Sequence, residues 1–199
     1  FARNFLSICI CASLPQLSHA ATATWIGPNN GFWDVPLNWL SGVPQNGDDV
    51  ALSSSDSVFR SGTLQLKSLN GDSTLTINAG SLSITDSASL SGLKLVNGTL
   101  AGDGSLLVTG AEESIWTDGA MLGNGTTTFQ GALDMTAAGS REIRTRTLNT
   151  AGTTSYGLGQ VNSITYLSTG ATLNNSGTWV DQSNGNGGIS QYLGAASKF

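Results

Sequence analysis

The stretch Asn70-Gly71-Asp72-Ser73-Thr74-Leu75-Thr76-Ile77-Asn78-Ala79-Gly80-Ser81-Leu82-Ser83-Ile84 holds two short runs in which polar and apolar residues alternate, each set off by Asn or Gly. Alternation with period two places Leu75 with Ile77, and Leu82 with Ile84, on one face of an extended strand. The pattern returns in Thr63-Leu64-Gln65-Leu66, in Ser105-Leu106-Leu107-Val108 and in Ser163-Ile164-Thr165-Tyr166-Leu167. No stretch holds a helical period for three turns. The polar positions are mainly Ser, Thr and Asn: 11% of the residues are charged and 26 are glycine, against about 25% charged in ordinary soluble domains. Short strands with a neutral outer face follow from this.

Asn-Gly pairs punctuate the strands at 46–47, 70–71, 97–98 and 124–125, and looser forms continue at Asn149 and Asn175. The steps between these asparagines are 24, 27, 27, 25 and 26 residues. A repeat of that size marks one supersecondary unit stacked on the next. The expectation is an all-β, right-handed parallel β-helix (a β-solenoid) with coils of about 24–27 residues, since right-handed parallel crossovers predominate. About five or six coils would then be stacked at roughly 4.8 Å per rung.

The ends read differently. Residues 1–20 combine Arg3, the apolar run 5–17 and the small-x-small site Ser18-His19-Ala20, the pattern of a secretory signal peptide. That run is too short for a membrane span. Both cysteines and the single histidine lie inside it, so the remaining chain has neither disulfide nor imidazole chemistry. Without Arg3 there are 7 basic and 13 acidic residues, a balance that disfavours nucleic acid and anionic membrane. Residues 21–52 are read as an N-terminal cap and first coil, and 53–199 as the coils proper, continuing beyond Phe199. Trp25, Trp33 and Trp39 stand among Pro28, Pro36 and Pro44 in that cap. A solenoid must cover the apolar end of its core, and bulky aromatics do so. The functional alternative is a sugar-stacking platform on Trp33 and Trp39.

The segment Trp116-Thr117-Asp118-Gly119-Ala120-Met121-Leu122-Gly123-Asn124-Gly125-Thr126-Thr127 resembles the W-x-x-G-x-M-x-G-x-G-T-T repeat of secreted bacterial β-strand-repeat proteins. The opening Trp25, Gly27, Trp33, Asn38, Trp39, Gly42, Pro44, Gly47 and Asp48 is similar to the segment that often starts such solenoids. That group includes autotransporter passengers and haemagglutinin-like adhesins. The resemblance covers most of 24–199. It implies an exported structural or adhesive protein, secreted or at the cell surface, and it carries no catalytic residues.

Several residues are candidates for chemistry. Arg141, Arg144 and Arg146 form the dense cationic cluster Arg-Glu-Ile-Arg-Thr-Arg; in a regular strand Arg144 and Arg146 share one face and could grip an anionic glycan. Asp48 and Asp49 are weak candidates for a calcium loop, and Gly102-Asp103-Gly104 a weaker one. Glu112, Glu113 and Asp134 could serve as an acid and base pair for glycoside cleavage, yet no carboxylate recurs at the coil step. Asn97, Asn124 and Asn174 match the N-glycosylation pattern, but stacking as an asparagine ladder accounts for them better. The sequence therefore points to a non-catalytic, adhesin-like rod, expected as a monomer, without cofactor and with an extracellular glycan or host surface as partner. The alternatives are the non-catalytic part of a polysaccharide-active β-helix enzyme, or a carbohydrate-binding module.

Overall fold

The computed structural model describes residues 21–159, 163–184 and 187–199; the leader 1–20 lies outside them. The chain is a parallel β-solenoid of about seven turns with almost no helix, its one described helical piece being the 3-10 turn Pro36–Asn38. Three strand faces wind around one core. The first is an eight-stranded parallel sheet running from Gly31–Phe32 through Ser57–Phe59, Thr74–Ile77, Gly92–Leu95, Ser114–Trp116, Leu133–Met135 and Thr153–Tyr156 to Thr178–Asp181. The second includes Thr99–Ala101, Gly119–Leu122, Gly139–Arg144 and Ser163–Ser168. The third includes Asp49–Leu52, Ser105–Val108, Thr126–Phe129, Thr147–Thr150 and Thr172–Asn175. In the early coils Thr63–Gly71 and Ser81–Leu90 run across both of the latter faces without a break, and a register shift between Leu66 and Ser68 marks the bend.

Period-two alternation sends one side chain of each pair inward, and the coil register aligns those side chains into columns. Leu64, Leu82, Leu100, Met121, Ile143 and Leu167 are successive neighbours on the second face. On the first face Phe59, Ile77, Leu95 and Trp116 do the same. Apart from the strands at the two ends, each strand is hydrogen-bonded on both edges to neighbouring coils, and among the described residues no strand pairs with the next strand in sequence as a hairpin would.

Coil length matches the expected 24–27 residues at the two ends and falls below it in the middle coils. On the third face Thr22 lies beside Asp49, then Ser68, Ser87, Ser105, Thr126, Thr147 and Thr172, giving steps of 27, 19, 19, 18, 21, 21 and 25. The Asn-Gly period is thus not the coil period. Asn46-Gly47 forms a turn, whereas Asn70-Gly71 ends a strand of the third face; Asn97-Gly98 and Asn124-Gly125 occupy two different corners. A 26-residue spacing laid over 19-residue coils drifts around the cross-section.

Glycines keep the true period. Gly80, Gly98 and Gly119 sit so that a Cβ on any of them would press on the backbone of the glycine one coil below, beginning with Gly62. Gly131, Gly152 and Gly177 stack in the same way above Gly110 at another corner. Neighbouring corners approach too closely for a side chain, and the φ of +89° at Gly119 is one that L residues rarely adopt.

Candidate functional site

The tryptophans of the opening segment close the solenoid end. Trp25, Trp33 and Trp39 are each less than 5% exposed. Their rings meet edge to face, Trp25 with Trp39 at 5.0 Å and Trp33 with Trp39 at 5.2 Å, and Trp33 continues onto Phe59 at 5.7 Å. Trp39 Nε1 donates to the Trp33 carbonyl at 2.7 Å. Rings in this arrangement have no free face for a sugar, so Trp33 and Trp39 are cap residues and the platform reading is corrected. Gly27 is required beside them, because a Cβ there would meet the Trp25 ring at 2.5 Å.

The arginine cluster is also arranged otherwise than a regular strand would place it. Gly139–Arg144 alternates as expected, with Arg141 and Ile143 inward and Arg144 outward. Thr145 then adopts φ +58°, a left-handed conformation unusual for a β-branched residue. That residue turns the corner and reverses the alternation, so Arg146 points into the core. Arg141 and Arg146 are both fully buried, and only Arg144 is at the surface. The expected shared face of Arg144 and Arg146 does not exist.

Each buried guanidinium collects carbonyls at a corner. Arg141 donates from Nε to the Trp116 carbonyl at 2.6 Å, from Nη2 to those of Met135 and Ala137 at 3.0 and 2.6 Å, and from Nη1 to Ser163 Oγ at 2.9 Å. Its guanidinium also lies 5.8 Å from the Tyr156 ring centre. Arg146 donates to Thr127 Oγ1 at 2.9 Å and to the carbonyls of Gly102, Leu122 and Gly104 at 2.8, 3.0 and 3.3 Å. Burial pulls both guanidinium pKa values down, that of Arg146 to about 10, with Asp103 opposing the shift there. Planar forks fit this task as a lysine could not.

Most of the candidate carboxylates are occupied locally. Asp48 accepts from the backbone N–H groups of Gln45 and Ala21 at 2.8 and 3.2 Å, which makes it a turn residue. Asp49 accepts from Ser68 Oγ at 2.6 Å and Lys67 Nζ at 3.3 Å on the next coil. Asp103 accepts from Asn124 N at 2.9 Å, Asp134 from Thr136 N at 2.8 Å, and Glu113 pairs with Lys94 at 3.2 Å. Among the described residues no group of three or more acidic, His or Cys side chains could hold a metal. The asparagine ladder is present in part: Asn174 Nδ2 donates to Asn149 Oδ1 at 2.9 Å, and Asn149 to Thr128 at 3.2 Å. Asn124 instead bonds Asp103.

Depressions on the described surface include two of note. One, of about 170 Å³, lies between Trp33, Val43, Pro44, Phe59 and Leu64, with the Arg60–Asp34 ion pair at 3.0 Å on its rim. The other, of about 260 Å³, is lined by Glu142, Arg144, Ser168, Thr169, Tyr192 and Leu193 on the second face. Of the arginines read from sequence, only Arg144 reaches such a place. Ser168, Tyr192 and Leu193 carried no sequence signal, because the chain brings them to Arg144 only through coil register.

No family model, curated protein or solved structure matches the chain. Among the described residues no helix is long and apolar enough to cross a membrane.

Proposed function

We propose that the chain is a structural, adhesin-like rod, exported through the 1–20 leader and acting at the cell surface as a monomer. The observation that carries this reading is the internal use of its cations. Arg141 and Arg146 are committed to internal acceptors, among them the carbonyls of Trp116, Gly102, Leu122 and Gly104 and the hydroxyls of Ser163 and Thr127 on neighbouring coils, so much of the densest charge in the sequence serves to fasten coils together. The outward positions of the third face are short and mostly neutral, as in the column Ser68, Ser87, Ser105, Thr126, Thr147 and Thr172. Such a surface suits a stable spacer that presents other groups. A glycan or host surface is the partner this role implies.

The test is to coat beads with the full chain and measure detachment force from glycan-coated and cell surfaces, while assaying the same protein for release of sugar products from polysaccharides. Force-resistant attachment without product supports the rod. Product release abolished by Asp134→Asn or Glu113→Gln would overturn it in favour of a polysaccharide-cleaving enzyme.

A further inference from the structure

We propose that the depression at Arg144 is a binding site for a neutral pyranose sugar, an assignment that rests on the adhesin-like reading and gives it a ligand class. The site is built on the second face, where Glu142 stands beside Tyr166 and Arg144 beside Ser168 in the coil register. One wall is apolar: Tyr192 and Leu193 are 58% and 63% exposed, and Tyr192 packs against Tyr166 with centroids 5.1 Å apart. The loop carrying them is anchored, since Thr169 N donates to the Leu193 carbonyl at 2.7 Å and Tyr192 N to that of Leu167 at 2.9 Å. The aromatic wall is therefore held in place before any ligand arrives.

The opposite side is polar and electrically balanced. Arg144 donates from Nε and Nη2 to Glu142 at 2.9, 2.8 and 3.0 Å. The pair cancels its own charge and still offers a guanidinium donor next to a carboxylate acceptor, the combination that adjacent sugar hydroxyls satisfy. A uronate or sulfate would have to approach the Glu142 carboxylate, which excludes it. At the floor Ser168 is 1% exposed, and its Oγ has no hydrogen-bond partner among the described residues. That hydroxyl is sealed beneath the groove, so the contacts open to a ligand are the aromatic wall and the Arg144–Glu142 pair. The volume, about 260 Å³, suits one ring, below the size of pockets that enclose drug-sized ligands. An apolar wall for the ring face and a donor–acceptor pair at its edge together define a monosaccharide subsite.

The experiment is saturation-transfer NMR and calorimetric titration of the full chain with methyl glycosides of glucose, galactose, N-acetylglucosamine and glucuronic acid. A neutral glycoside is expected to bind, with transfer from Tyr192. Tyr192→Ala should weaken it about tenfold and Tyr192→Phe should retain it, since the ring face carries the contact. Absence of binding by every neutral glycoside, unchanged affinity in Tyr192→Ala, or preference for the glucuronide would each overturn the site. Beads carrying Tyr192→Ala separate the two readings: if they adhere like the parent while these results fail, the groove assignment falls and the adhesin-like rod stands.

Discussion

Arg146 Nη1 donates to the carbonyl of Gly102, 44 residues earlier in the chain, at 2.8 Å. The same nitrogen reaches Leu122 on the intervening coil. One side chain thus bonds its own coil to the two beneath it. The corner there is formed by Gly102 stacked under Gly123 and Gly104 under Gly125, and a Cβ on Gly125 would lie 2.9 Å from Arg146 Nη1. Glycine vacates the space that the guanidinium fills, so the corner carbonyls gain donors, that of Gly102 in addition to its bond from Gly125 N.

Replacing Arg146 with Met keeps the volume and removes the donors. The expected loss is about 3 kcal/mol, because buried carbonyls then lack partners. Arg146→Lys should restore less than half of it, since a single ammonium does not span three carbonyls. Urea denaturation of both variants measures this; a cost below about 1 kcal/mol for Met would place Arg146 outside the fastening role.

Gly119 and Gly47 share a φ of +89° and differ in surroundings: a Cβ on Gly119 presses on the Gly98 carbonyl, and one on Gly47 meets nothing within 4 Å. Gly47→Ala should therefore cost only its backbone strain, about 1 kcal/mol. Gly119→Ala should cost about 2–4 kcal/mol, because the coil below must also shift. Thermal melts of the two variants side by side separate conformational from packing cost, and equal losses would refute the stacked-corner account.

These two positions also show what the sequence made legible. Alternation such as Leu82/Ile84 identified strands whose inward residues the structure buries, and the Pro-interleaved tryptophans identified the cap. Asn-Gly spacing does not encode coil length; glycines such as Gly110, Gly131 and Gly152 do, because their steps are those of the coils. The inward turn of Arg146 was hidden because it depends on the left-handed Thr145, and nothing in a β-branched residue's identity announces that conformation. Ser168 and Tyr192 come together at the groove only through tertiary register, which no local pattern encodes.

Trp39 is the hub of the cap, meeting both Trp25 and Trp33 edge to face. Trp39→Ala should lower stability by about 3–5 kcal/mol through the cavity it leaves. Sugar titrations at the Arg144 groove should be unaffected in whatever fraction stays folded. A Trp39→Ala chain with parental stability and lost glycan binding would reinstate the platform reading.

The Ser68 hydroxyl, and with it Lys67, holds the Asp49 carboxyl below its usual value, while burial opposes the shift. For an acid with a depressed native pKa the unfolded state binds the proton more readily, so stability is present above the ordinary carboxylate value near 4 and is lost as pH falls through the native value. Denaturation between about pH 5 and 2 should show a shallower acid slope in Asp49→Asn than in the parent. Identical slopes would show that the Ser68 contact contributes nothing to acid stability.

Because each strand after the first coil lies on one a single coil earlier in sequence, each new coil finds its template already formed just behind it. Among the described residues the tryptophan segment precedes the coils, and each later coil grows on one that has already appeared. A chain emerging in order, from a ribosome or across a membrane, could thus crystallise onto its own advancing edge, much as a layer grows on a seed. Arg146 would act behind that front as a latch: it arrives after the corners at Gly102 and Leu122 have closed, and secures what has already been laid.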